Sequence, residues 1–202
     1  MALWTISAQA GTGAPEVARE LARRAEVELL DREALLPLAH ELEPEITDAD
    51  ELEERISSRF TALALGAAIA TGSPEAVREF KLRKTLPDLG RAVLREAARH
   101  PAVIFAPAAF AALGPDPSAI HVRLRAPFEW RVAAYQRKEV VDRHAAEKAV
   151  RHDDEHKRAW VRTLYHVDVD DTSHFSLVVD VSAFATDRVV DILLAAAGKA
   201  VS

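Results

Sequence analysis

Two glycines set the chemistry this chain could do. Gly11 and Gly13 lie in the turn Ser7-Ala8-Gln9-Ala10-Gly11-Thr12-Gly13-Ala14. The apolar run Ala2-Leu3-Trp4-Thr5-Ile6 precedes the turn and reads as a buried strand. Pro15-Glu16-Val17-Ala18-Arg19-Glu20-Leu21-Ala22-Arg23-Arg24 follows and reads as a helix. Strand, glycine turn and helix together hold phosphate, because glycine lets backbone approach an anion and the helix N-terminus offers unpaired N–H groups. The nucleotide-loop pattern G-x-x-x-x-G-K-[ST] adds a lysine for the phosphates and a hydroxyl for Mg²⁺. Its fixed slots fall here on Ala8, Gly13, Ala14 and Pro15. The shape of the turn survives, but the cation and the hydroxyl do not. An ordinary strand–helix turn is the competing reading.

The elements that must position this turn can be read along the chain. Val27 to Leu30 forms a second short strand pattern, and Asp31 can cap the helix after it, with apolar residues at 34, 35, 38, 39 and 42. Thr47 or Asp48 can start a helix through Leu52, Ile56, Phe60, Leu63 and Ala67. Thr71-Gly72-Ser73-Pro74 stops and restarts the chain, and Asp88 begins a helix to His100 after Pro87. Ala102 to Ala106 and Ala119 to Leu124 are continuous apolar runs of the parallel-strand type. A short helix at Ala108 to Leu113 is closed by Gly114-Pro115. Helices follow at Pro127 to Asp142 and at Ala145 to Tyr165. Leu177 to Val181 is the last strand, and Thr186 or Asp187 should cap a final helix that Gly198 ends. Five apolar strands separated by helices predict an α/β domain with a mainly parallel sheet, whose ligands bind beyond the carboxyl ends of the strands.

The 202 residues suit a single domain with a sizeable core. Apolar content of 49% with 29% charged residues excludes disorder. There is no cysteine, so disulfides and thiolate metal sites are excluded. The net charge of −6 argues against a general nucleic-acid partner. No basic-then-apolar leader is present, and the longest apolar stretch, residues 62–70, is too short to span a bilayer. The expected location is therefore the cytoplasm, with no membrane partner.

Several stretches in order resemble the cytidylate-kinase-like family of P-loop nucleoside monophosphate kinases. The opening Ser7-Ala8-Gln9-Ala10-Gly11-Thr12-Gly13-Ala14-Pro15-Glu16-Val17-Ala18 is similar to the family's S-R-Q-x-G-S-G-G-R-x-I-A. Leu30-Asp31-Arg32-Glu33-Ala34-Leu35 resembles its Y-D-R-E-L-I segment. Val103-Ile104-Phe105-Ala106-Pro107-Ala108-Ala109 sits in the slot of V-I-V-G-R-G-A. Val122-Arg123-Leu124-Arg125-Ala126-Pro127-Phe128-Glu129-Trp130-Arg131 closely resembles V-x-L-x-A-P-x-E-x-R. The charged helix with Asp153-Asp154, Lys157-Arg158, Trp160, Arg162 and Tyr165, followed by Asp168 to Asp171, resembles the family's lid, roughly residues 137–171.

This resemblance implies a three-layer P-loop kinase fold with five parallel strands and a helical lid. It also implies ATP and Mg²⁺ as cofactors and a CMP-like acceptor. On the matching positions, Gly11, Thr12, Gly13 and Ala14 would bind cofactor. Asp31, Arg32 and Arg123 would bind substrate, and Arg131, Arg158 and Arg162 would act in catalysis. The departures bear on activity. Ala14 and Pro15 lack the cation and hydroxyl, and Ala106-Pro107-Ala108 lacks the arginine of the family's G-R-G. Each lost charge-stabilising donor costs on the order of 10²–10³ in rate. Cations that could compensate are Arg123, Arg125, Arg131, Arg137, Lys138, Lys157, Arg158 and Arg162, unless they pair with acids on solvated helix faces.

Other constellations have plainer readings. His152-Asp153-Asp154-Glu155-His156 fits H-x-x-E-H, a zinc-hydrolase pattern, but falls in the lid-like helix. Asp168-Val169-Asp170-Asp171 lacks the calcium-loop glycine and distal glutamate and reads as a loop with capping aspartates. No dedicated metal-ligand set is assigned. His121 reads as a satisfied core or edge histidine, and Trp4, Trp130 and Trp160 as packing anchors. Three functions stay open. They are a divergent nucleotide-binding protein with weak or lost phosphoryl transfer, an active CMP-type kinase, and a non-catalytic interaction module that dimerises through residues 62–70.

Overall fold

A computed structural model describes residues 2–31, 33–35, 88, 90–116 and 118–198. Five strands, β1 (Leu3–Ala8), β2 (Glu28–Leu30), β3 (Ala102–Phe105), β4 (Ala119–Arg125) and β5 (Leu177–Asp180), form one sheet. Every pairing is parallel and the order is β2-β3-β1-β4-β5. These are the five strands that the apolar runs predict, shifted by one or two residues at their ends. The helices are α1 (Ala14–Ala25), α2 (Ala109–Leu113), α3 (Phe128–Glu139), α4 (Arg143–Tyr165) and α5 (Thr186–Ala196), with residues 90–97 also helical. β1 lies between β3 and β4, so the loop after it opens at the point where the strand order reverses.

Strand side chains alternate between two faces, and the alternation divides the chemistry. Trp4, Ile6, Val103, Val122 and Leu124 bury one face against α1 and α5, where Val17, Leu21, Val190 and Leu193 complete the core. The Trp4 indole donates to the carbonyl of Leu193 at 3.1 Å and ties β1 to α5. Leu3, Ala102 and Ile104 face the other way, against Leu94, Ala97, Ala109 and Ala112. On that second face β1 and β4 carry polar pairs in register, Thr5 beside His121 and Ser7 beside Arg123. Both nitrogens of His121 are engaged, Nδ1 with Thr5 Oγ1 at 2.7 Å and Nε2 with the Gly114 carbonyl at 2.9 Å. A third cluster, Ala108, Phe110, Val161 and Val169, fixes α4 over α2.

Local signals account for the helix ends. Asp31 accepts from the N–H of Ala34 at 3.0 Å, as its capping position predicts. α2 ends at Gly114, and Asp142 caps α4 by accepting from Ala145. α5 departs from expectation, since its cap is Ala185 with no side-chain bond, so neither Thr186 nor Asp187 serves. Asp187 instead lies in the first turn, where a carboxylate suits the helix dipole. The expected helix from Thr47 or Asp48, the break at 71–74, Pro87, the dimerising run 62–70, Arg32 and most of the helix after it lie outside the described residues. Leu21 has no exposed surface in the α1–sheet core. Leu21→Ala should cost about 2–5 kcal/mol in urea unfolding, by lost burial and an unfilled cavity.

Candidate functional site

The turn after β1 has the geometry of an anion cradle. Gly11 and Gly13 adopt φ of +76° and +70°. A side chain at Gly11 would place its Cβ 2.6 Å from the Arg131 carbonyl oxygen, so α3 passes the turn only because position 11 is glycine. Pro15 falls in the first turn of α1, where a missing N–H breaks no helical bond, and it does not disrupt the turn. Among the described residues, the N–H groups of Gly11, Gly13 and Ala14 donate to no protein acceptor. The Thr12 hydroxyl is used internally and donates to the Gln9 carbonyl at 2.7 Å.

An ion pair clamps the turn from above. Arg131 of α3 and Asp154 of α4 meet at 2.7 Å, and both are buried. Asp154 also accepts the N–H of Ala10 at 2.9 Å, while Arg131 donates to the Ala10 carbonyl at 3.0 Å and to the Ala126 carbonyl at 3.0 Å. Both backbone groups of Ala10 are therefore held by one buried charge pair. Arg131, expected as a catalytic cation, spends its Nε and Nη1 donors on this clamp.

A second network joins three further expected residues. Arg123, buried on β4, donates to Ser7 Oγ at 3.0 Å and to Asp170 at 2.9 Å. Ser7 in turn donates to the Pro107 carbonyl at 3.2 Å. Arg158 reaches the other oxygen of Asp170 at 2.6 Å, and Arg162 lies 3.8 Å from Asp168. Burial raises the Asp170 carboxyl, but hydrogen bonds and charge from Arg158 and Arg123 outweigh it and hold the group below its ordinary value. Burial pulls the Arg123 guanidinium down and Asp170 pulls it back up, and the group remains a cation. The other two aspartates of 168–171 bond locally to backbone: Asp168 accepts from Asp170 N–H, and Asp171 from Ser173 N–H.

Two clefts open at the carboxyl end of the sheet. One, about 340 Å³, runs over residues 8–16 and is bounded by Trp130, Tyr135, Lys138 and Lys157. Its charged lining consists of Glu16, Glu139 and Asp153 against Lys138 and Lys157, three carboxylates to two ammonium groups. The other, about 460 Å³, is lined by Arg19, Leu29, Asp31, Glu33 and Pro107. The two share Ala8, Pro15, Phe105, Asp153 and Lys157, so they meet edge to edge. At that edge Lys157 donates to Asp153 at 2.7 Å. Gly11 to Ala14 line the first cleft and Asp31 the second, whereas Arg123, Arg131, Arg158 and Arg162 line neither.

Sequence reasoning missed Asp154, Asp170 and Glu16 as individual residues. A signal for Asp154 was present: it shares the buried stripe of α4 with Ala146, Val150, Val161 and Leu164, and an acid in such a stripe requires a buried partner. The two histidines of the H-x-x-E-H run stack at 6.1 Å, but the middle acid turns inward. No group of three metal-binding side chains occurs among the described residues.

A family model, the cytidylate kinase-like family, matches residues 4–183. Among solved structures, an uncharacterized protein from Eubacterium ventriosum aligns with TM-score 0.64 and 16% identity, covering 96% of both chains. Shikimate kinase from Bacteroides thetaiotaomicron aligns with TM-score 0.50 and 12% identity, covering 98% of both. These structural likenesses show the fold. No curated protein is matched by the sequence.

Two outcomes follow from the charge networks. Asp154→Ala strands the Arg131 guanidinium in the interior and should cost about 3–5 kcal/mol in denaturant unfolding. Asp170 has a lowered folded-state pKa, so its contribution is complete above the ordinary aspartate range and is lost as pH falls through that lowered value. Its side chain is 41% exposed, which keeps the effect small. Thermal melts between pH 7 and pH 3 should show Asp170→Asn losing less stability on acidification than the parent protein.

Proposed function

The chain belongs to the cytidylate kinase-like family, and from that premise we propose a nucleotide-binding protein in which phosphoryl transfer is weak or lost. The observation that carries this reading is the pairing of its cations. Phosphoryl transfer depends on positioned charge around the migrating group. Arg131 is tied to Asp154, Arg123 and Arg158 to Asp170, and Lys157 to Asp153. Arg162 lies by Asp168 and Lys138 by Glu16. Ala14 and Pro15 supply no replacement at the turn itself.

The backbone of the turn suits a phosphate, through the unclaimed N–H groups of Gly11, Gly13 and Ala14. Its side chains do not suit Mg²⁺, because Pro15 replaces the hydroxyl and Thr12 is engaged with Gln9. ATP would lie over residues 11–14 in the first cleft, and a CMP-like acceptor in the second, beside Asp31. Arg123 would serve the site by fixing Ser7 and Asp170 rather than by touching a ligand. No described helix is long and apolar enough to cross a membrane.

One observation favours an active CMP-type kinase instead: Lys138 and Lys157 line the same cleft as the turn, and either could leave its acid for a phosphate. Calorimetric titration with ATP and with CMP, each with and without Mg²⁺, separates these readings. Binding of ATP with little dependence on Mg²⁺ is the expected result. Absence of heat from either nucleotide would defeat the proposal and leave a non-catalytic interaction module.

A further inference from the structure

Glu16 follows immediately after the two missing side chains of the turn. It lies in the first turn of α1, where a carboxylate is favoured by the helix dipole. Its Oε2 is shielded from solvent and has no hydrogen-bond partner. That oxygen lies 3.8 Å from where a Gly13 Cβ would be, so it leans over the glycine of the cradle. Its Oε1 meets Lys138 Nζ at 3.4 Å and Arg19 at 4.0 Å. Lys138 comes from α3 on the opposite wall of the cleft. The Glu16 side chain as a whole is 44% exposed and Lys138 59%, so the pair is a weak surface contact, and the shielded Oε2 without a donor makes the resting arrangement easy to displace.

We propose that Glu16 and Lys138 form a latch that an arriving polyphosphate displaces. At rest, Glu16 supplies the negative charge that the N-terminus of α1 attracts. A polyphosphate at the same N–H groups repels Glu16 and draws Lys138 away from it. Lys138 then pairs with the phosphate chain, which strengthens binding without restoring the lysine and hydroxyl absent at Ala14 and Pro15. The ligand class is the phosphate chain of a nucleoside di- or triphosphate, and the inference rests on the nucleotide-binding reading above. Glu16 thus tunes the affinity of the turn for phosphate chains.

Titrations of ATP and of inorganic tripolyphosphate into the parent protein, Glu16→Gln and Lys138→Gln test this, with thermal melts to verify folding. Glu16→Gln should bind both ligands about two- to fivefold more tightly, the range expected for one charge at a helix N-terminus. Lys138→Gln should bind both more weakly, and both effects should shrink as salt is raised. If the two variants bind like the parent, the latch is wrong while nucleotide binding stands. If Glu16→Gln weakens binding, Glu16 supports the ligand and the latch is again wrong. If no form binds either probe, the nucleotide reading fails and the latch fails with it.

Discussion

The buried pair between Arg131 and Asp154 is the constraint on which the site depends. Alone, a charge in that position would be severely unfavourable, and the pair repays its desolvation only because further hydrogen bonds saturate it. Those bonds go to Ala10, whose N–H and carbonyl are both consumed, and to the Ala126 carbonyl. The turn after β1, the start of α3 and the middle of α4 thus share one electrostatic joint. Gly11 is the steric complement of that joint, since its missing side chain makes room for the Arg131 backbone. Arg131, whose position resembles a catalytic one in sequence, here holds the turn through its bonds to Ala10, Ala126 and Asp154.

The same economy extends around the sheet's carboxyl end. Asp170 draws Arg123 and Arg158 together, Asp153 holds Lys157 across the junction of the clefts, and Glu16 holds Lys138. A site built to stabilise phosphoryl transfer aims preorganised cations at the place where charge develops. Here acids of the protein meet Arg123, Arg131, Lys138, Lys157, Arg158 and Arg162. The cradle itself has kept its backbone, and backbone N–H groups can bind an anion without accelerating its chemistry.

The strands were legible because each is a short apolar run bounded by a turn, and a parallel sheet buries both faces of such a run. Ser7 and Arg123 pair only because parallel register sets them side by side on one face, and register is a long-range property that no local pattern encodes. Asp154 was legible in principle from the buried stripe of α4, but the sequence reading placed it only within the charged run of the lid-like helix. The cap of α5 was misplaced by one or two residues because Thr186 and Asp187 both have capping chemistry, whereas the backbone turns at Ala185. The fates of Arg123, Arg131 and Lys138 could not be read, because their partners Asp170, Asp154 and Glu16 come from distant segments; only local pairs such as Lys157–Asp153 are within reach of spacing. Arg32 and the run at 62–70 lie outside the described residues.

The central claim is that this chain keeps the phosphate cradle of its family without its transfer chemistry. Its most direct test is phosphoryl transfer from ATP to CMP with Mg²⁺, followed as ADP formation at ATP concentrations that saturate binding. The account predicts turnover at least about 10²-fold below the range usual for kinases, as expected when charge-stabilising donors are missing. Turnover within the usual range of about 1–100 s⁻¹ would contradict it.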